Sequence, residues 1–167
     1  MTTTGFDELL RDARVVICAG SGGVGKTTTA AVLAIAAARR GRRSVVVTID
    51  PARRLADALG LDELAPDPVV IDPAHWAGTH DRAGGELSAM MLDPKQTFDA
   101  LVVRHAADDA QAERILGNGF YGSISSALGG TQEYMAMEKL HELHDADRYD
   151  LIVVDTPPSR HALDFLD

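Results

Sequence analysis

Gly20-Ser21-Gly22-Gly23-Val24-Gly25-Lys26-Thr27 satisfies the pattern G-x-x-x-x-G-K-S/T at every fixed position. The apolar run Val15–Ala19 precedes it and reads as a buried strand; the alanine-rich stretch Thr27–Arg40 follows and reads as a helix. A strand, a glycine turn and a helix N-terminus together build an anion site from backbone N–H groups, with the positive end of the helix dipole facing the ligand. Side chains at the glycines would hold the backbone away from phosphate oxygens or forbid the required φ angles. In such a loop Lys26 is predicted to reach the β- and γ-phosphates and the Thr27 hydroxyl to ligate Mg²⁺. The alternative is a chance glycine-rich turn, and the flanking strand and helix argue against it. A nucleotide-binding chain is the expectation.

Two carboxylates are placed to complete such a site. Leu151-Ile152-Val153-Val154-Asp155 is an apolar strand ending in an acid, and Thr156-Pro157-Pro158 forces a rigid turn after it. Asp155 is predicted to hold Mg²⁺; the plainer reading is an acid at a strand end. Asp50 closes a second apolar run and precedes Pro51-Ala52-Arg53-Arg54. It reads equally as the N-cap of a helix opening at Pro51 and as a carboxylate beside the γ-phosphate. In the second role it orients or deprotonates the attacking water and touches the Mg²⁺ shell.

Four strands are expected, Val15–Ala19, Ser44–Ile49, Leu87–Leu92 and Leu151–Asp155, separated by helices over Thr27–Arg40, Ala52–Leu59, about 94–107 and Thr131–Leu143. Continuous apolar runs suit strands of a mainly parallel sheet covered on both faces. The fold class expected is therefore α/β, a three-layer sandwich with a mainly parallel sheet. Pro66, Pro68 and the Gly78–Gly85 region mark a loop. The chain stops at Asp167, soon after the Asp155 strand, so residues 1–167 read as the N-terminal part of a single domain.

Composition narrows the class. The content is 46% hydrophobic and 25% charged, ordinary for a globular protein. No apolar stretch is long enough to span a bilayer and the start lacks the features of a secretory signal, so a cytoplasmic protein is expected. Cys18 is the sole cysteine, which excludes an internal disulfide; its place in the first strand predicts a buried small side chain. The net charge of −9 is uneven: residues 1–54 carry nine Lys/Arg against four Asp/Glu, and the remainder seven against twenty-one. Arg39-Arg40-Gly41-Arg42-Arg43 is predicted to complement the C-terminal dipole of the first long helix, with Gly41 as a left-handed cap. Without interleaved aromatics it is not read as a nucleic-acid patch.

Three segments in order, Gly20–Thr28 (GSGGVGKTT), Thr48–Leu55 (TIDPARRL) and Asp155–Leu163 (DTPPSRHAL), resemble those of the ArsA-like, or anion-transporting, ATPases. That family belongs to the deviant Walker A group of P-loop NTPases, with tail-anchored-protein targeting factors and septum-site and partition ATPases. The resemblance runs from about Val15 to the end. It implies ATP and Mg²⁺ as ligands, with Gly20, Ser21, Gly22, Gly23, Val24, Gly25, Lys26, Thr27 and Thr28 around the nucleotide. It also implies Thr27, Asp50 and Asp155 at the metal, Lys26 and Asp50 as catalytic, Asp50 in switch I and Asp155–His161 as switch II. The implied partners are a homologous ATPase chain, in a homodimer or heterodimer, and a client protein or a peripheral membrane partner.

One position departs. The family's loop carries a second lysine near its start, where this chain has Ser21, which supplies no positive charge. Either Arg53, Arg54 or Arg160 substitutes, or a homologous partner brings the cation. The family's metalloid-binding cysteines and CxxC zinc pair have no counterpart, so arsenite binding is not expected. The leading function is a Mg²⁺-dependent ATPase whose hydrolysis drives switch movement and changes affinity for a partner. The alternative is a hydrolysis-poor nucleotide-binding regulatory subunit acting with a homologous chain. A GTPase or small-molecule kinase on the same scaffold is a third; no N/T-K-x-D guanine motif occurs. His141 and His144, three apart on a helix, read as a solvated face rather than metal ligands. Tyr134, Met135, Met137 and Leu140 read as a core stripe, and His161 as a nucleotide sensor or an ordinary helix-start residue.

Overall fold

The computed structural model describes residues 5–78, 84–118 and 131–158. Arg160 and His161 lie outside the described residues, as does the whole stretch after Pro158. Among the described residues five strands form one sheet in the order β1-β5-β2-β4-β3: β1 Val15–Cys18, β2 Arg43–Thr48, β3 Val69–Val70, β4 Glu86–Met91 and β5 Leu151–Asp155. The four expected strands are all present, and β1, β5, β2 and β4 run parallel. The helices are α1 Gly5–Asp12, α2 Lys26–Ala38, α3 Arg54–Leu59, α4 Pro94–His105, α5 Asp109–Leu116 and α6 Thr131–Asp145.

The continuous apolar runs resolve into two cores because successive strand residues point to opposite faces. Val46, Leu87, Leu151 and Val153 pack with Leu10 of α1, with α2, and with Leu55 and Leu59 of α3. Val45, Val47, Ile152 and Val154 pack with Ala136, Leu140 and Leu143 of α6. A three-layer α/β sandwich follows. The alanines of α2 face the first core, with Ala30, Ala34, Ala37 and Ala38 wholly buried. Small side chains bring that helix close to the sheet, and the buried Ser44 hydroxyl donates to the Ala34 carbonyl at 2.9 Å. The approach is closest at Gly85, where a Cβ would sit 1.8 Å from the Ala38 oxygen.

Several expectations need correction. β1 is an edge strand of the described sheet and not buried: Val15 is 40% exposed and Val16, Ile17 and Cys18 are half-buried. Cys18 is thus only partly covered, and burial raises its thiol pKa. The antiparallel edge β3, and helices α1 and α5, were not expected from the sequence. The stripe on α6 splits: Met135 and Leu140 are buried, whereas Tyr134 and Met137 are 65% and 49% exposed. The sheet takes the face running through Ala136, Leu140 and Leu143, and Tyr134 and Met137 lie off it. His141 and His144 are exposed, both facing Asp145 Oδ1 at 3.3 and 3.5 Å.

The basic run divides its work. Gly41 is left-handed as expected, with φ 88°, but it lies two residues past the C-cap of α2, which is Arg39 in the right-handed region; Arg40 donates to the Ala36 carbonyl at the end of α2. Arg42 instead donates to the carbonyls of Leu10 and Ala13, at the end of α1, and of Asp150. Arg43 pairs with Asp150 at 2.8 Å.

Candidate functional site

β5 lies between β1 and β2, with Cys18 and Thr48 both opposite Asp155 in the register. The chain leaves the ends of β1 and β2 on either side of β5, which is the crevice where open parallel sheets bind ligands. The glycine loop follows β1, Asp50 lies two residues past the end of β2, and Asp155 ends β5. Topology therefore brings the three predicted segments together at one end of the sheet.

The loop residues adopt conformations that require glycine. Gly23 has φ 78° and Gly25, the N-cap of α2, has φ 90° and ψ 19°. No side chain caps α2 and no acid stands in its first turn, so the N–H groups of its first turn remain available for an anion. Lys26 Nζ donates to the Ser21 carbonyl at 2.9 Å, bending the side chain back along the loop. A cleft of about 590 Å³ opens here, lined among others by Gly23, Gly25, Lys26, Thr27, Thr28 and Asp50. Gly22 lines it as well, where a Cβ would meet Pro158 at 3.6 Å. Of the remaining predicted loop residues, Gly20 packs near Val24 and Lys26, while Ser21 and Val24 are exposed.

Asp155 is 1% exposed, and its two oxygens differ. Oδ2 accepts from the Thr48 hydroxyl at 3.2 Å, while Oδ1 is buried with no protein partner. Burial raises the Asp155 pKa; the Thr27 and Thr48 hydroxyls and Lys26 oppose this, and Asp50 adds to it. Oxygen donors and a carboxylate oxygen lacking a partner match the chemistry of Mg²⁺, which takes one or two carboxylates with substrate phosphates. The residues that could hold it are Thr27, Asp155 and Asp50. Among the described residues no trio of His, Cys, Asp or Glu forms a metal site of its own.

Asp50 is not the N-cap of α3, which begins at Arg54 with Arg53 in that position. Its Oδ1 accepts from the Ala52 N–H at 3.0 Å in a local turn, and its Oδ2 accepts from Arg54 Nη1 at 2.6 Å. The turn serves the same end as a cap, because it fixes the carboxylate against the cleft.

Sequence reasoning missed Thr48, which accepts from the Asp50 N–H at 3.2 Å while donating to Asp155. It also missed Thr156, whose N–H and hydroxyl both bind the Cys18 carbonyl and tie the end of β5 to β1. Asp57 and Ala58 of α3 line the cleft as well. Strand-end threonines were visible, but their roles depend on which strands are neighbours. Among the described residues no helix is long and apolar enough to cross a membrane.

Residues 13–167 match the family described as anion-transporting ATPase. The chain is 31% identical over 156 residues to the ATPase GET3 of Chaetomium globosum, covering 93% of this chain and 43% of that protein. It is 31% identical over 159 residues to the ATPase GET3 of Pyricularia oryzae, with coverage of 93% and 43%. With the ATPase ASNA1 homolog 2 of Paramecium tetraurelia it shares 30% over 154 residues, covering 90% and 42%. The chain thus spans less than half the length of these relatives. The family match takes in every segment that meets at the cleft, and the chain belongs to the anion-transporting ATPase family.

Proposed function

We propose that this chain binds ATP with Mg²⁺ and hydrolyses it, and that the cycle moves the segments after β2 and β5 to control a protein or membrane partner. The observation that carries the reading is the convergence of Lys26, Thr27 and Asp50 on one cleft under an uncapped helix N-terminus. Gly20–Thr28 would cradle the phosphates, with Lys26 leaving the Ser21 carbonyl to reach the β- and γ-oxygens. Thr27, Asp155 and Asp50 would hold Mg²⁺, which when bound offsets the charge developing on the phosphate oxygens. Asp50 would orient a water for in-line attack on the γ-phosphorus and take its proton. Thr156-Pro157-Pro158 follows Asp155 directly and lies against the loop at Gly22. Loss of the γ-phosphate is thereby coupled to that segment's position.

Residues 1–167 are read as part of one P-loop domain, a reading supported by the single sheet and the family match. The assembly proposed is a homodimer or heterodimer with a homologous ATPase in the cytoplasm, meeting a client or a peripheral membrane partner. The names of the relatives, which are ATPases, support the activity.

The test is a pair of variants. Lys26→Ala should lose nucleotide binding, read by calorimetric titration. Asp50→Asn should retain ATP and slow turnover by about 100-fold. Turnover at the wild-type rate in Asp50→Asn would remove Asp50 from the chemistry. Ser21 favours a second reading, a regulatory subunit with little hydrolysis of its own, because the loop carries no second cation at that position. ATP turnover by the isolated chain would dispose of it.

A further inference from the structure

Each oxygen of Asp50 already accepts one hydrogen bond, Oδ1 from the Ala52 N–H and Oδ2 from Arg54, and the guanidinium sits on the side of the carboxylate that a water would share. Arg54 and Asp50 line the same cleft as Lys26 and Thr27. The Arg54 side chain is 62% exposed against 14% for Asp50, so the guanidinium end of the pair is open to water and free to change partners. A guanidinium can turn from one carboxylate to a phosphate because both accept its planar fork.

Among the described residues, the neighbouring Arg53 donates instead to the Asp62 carbonyl, and Lys26 is already assigned to the β- and γ-oxygens. We propose that Arg54 is a second cation of the phosphate site, one that engages Asp50 when no triphosphate is present and transfers to the terminal phosphate when one binds. The transfer withdraws the guanidinium from Asp50 Oδ2 and opens that oxygen further to water once a γ-phosphate has arrived. A diphosphate lacks that group and leaves Arg54 on Asp50. Asp57 lines the cleft beside Arg54 and would resist phosphate in its absence.

This rests on the nucleotide-site reading, and calorimetric titration of ATP and ADP into the 167-residue chain separates the two. Arg54→Ala should weaken ATP about tenfold and leave ADP within about twofold. Arg54→Lys should keep part of the ATP preference, having the charge without the fork, and Arg53→Ala should change neither ligand. Circular dichroism checks that each variant is folded. The same titrations in an Asp50→Asn background decide whether Arg54 touches phosphate or merely neutralises Asp50. Persistence of the tenfold ATP loss there supports the transfer, and its disappearance overturns it. Equal weakening of ATP and ADP in Arg54→Ala, or no change in either, also overturns it. A wild-type chain that binds neither nucleotide would instead remove the nucleotide site, and this inference with it.

Discussion

Asp155 is a buried carboxylate with one oxygen hydrogen-bonded and the other orphaned, which costs the isolated fold stability. Because burial raises its folded-state pKa, the stability it contributes is complete below the unfolded value. That contribution is lost as pH rises through the raised folded value. Asp155→Asn should therefore stabilise the nucleotide-free chain at neutral pH by about 1 kcal/mol, roughly 2–4 °C in Tm. The gain should shrink toward acid pH, where the wild-type carboxyl is protonated. Melting curves between pH 4 and 7 check the sign; a variant that melts lower at pH 7 would contradict it. The motif residues Gly20–Thr28, Asp50 and Asp155 were legible as residues, since a loop pattern and strand-end acids are local. Thr48 was not, because its hydroxyl matters only once β2 and β5 are neighbours.

At the scale of elements, α2 and the strands were readable because their signals are long. Thirteen residues with five alanines and one leucine on the buried side make a helix whose placement hydrophobicity alone supports. The cost of that close packing appears at Gly85, which has no room for a side chain against Ala38. Gly85→Ala should destabilise the fold by about 2 kcal/mol or more, measured as a shift in urea midpoint without a change in m. Unchanged stability would show that α2 does not lie this close to β4. Two short elements, β3 and α5, were not readable, although the six-residue α3 was. β3 has two residues directly after Pro68, too few for a period. α5 has eight residues, with Asp108 accepting from the Gln111 N–H as its cap and only Ala112 buried. α6 was placed correctly, but its apolar residues cover more of the helix than the sheet can bury, so Tyr134 and Met137 remain outside.

Across the whole molecule, ion pairs tie segments far apart in sequence at the end of the sheet opposite the cleft. Asp150, just before β5, receives the Arg43 backbone N–H at 2.8 Å and its guanidinium at 2.8 Å. The hydrogen bond from the Arg43 side chain lowers the Asp150 pKa. A lowered value gives stability that is present above the unfolded pKa and lost as pH falls through the folded one. Asp150→Asn should thus cost stability at neutral pH, by less than about 1 kcal/mol because the pair is partly exposed. The cost should shrink as pH falls below the ordinary aspartate range. Acid titration of unfolding for both proteins measures it, and a constant difference across pH would reject the pair as its source.

By itself the sequence determined the anion-binding loop, the alternation of strand and helix, and the acids at the strand ends, because each depends on neighbours within a few residues. Only the tertiary structure decided that β5 inserts between β1 and β2, that Thr48 links the two acids, and that Arg54 occupies Asp50. Strand order and side-chain pairing arise from contacts between residues as much as 138 positions apart, as between Cys18 and Thr156, and a linear pattern carries no record of which distant strand a given strand will meet.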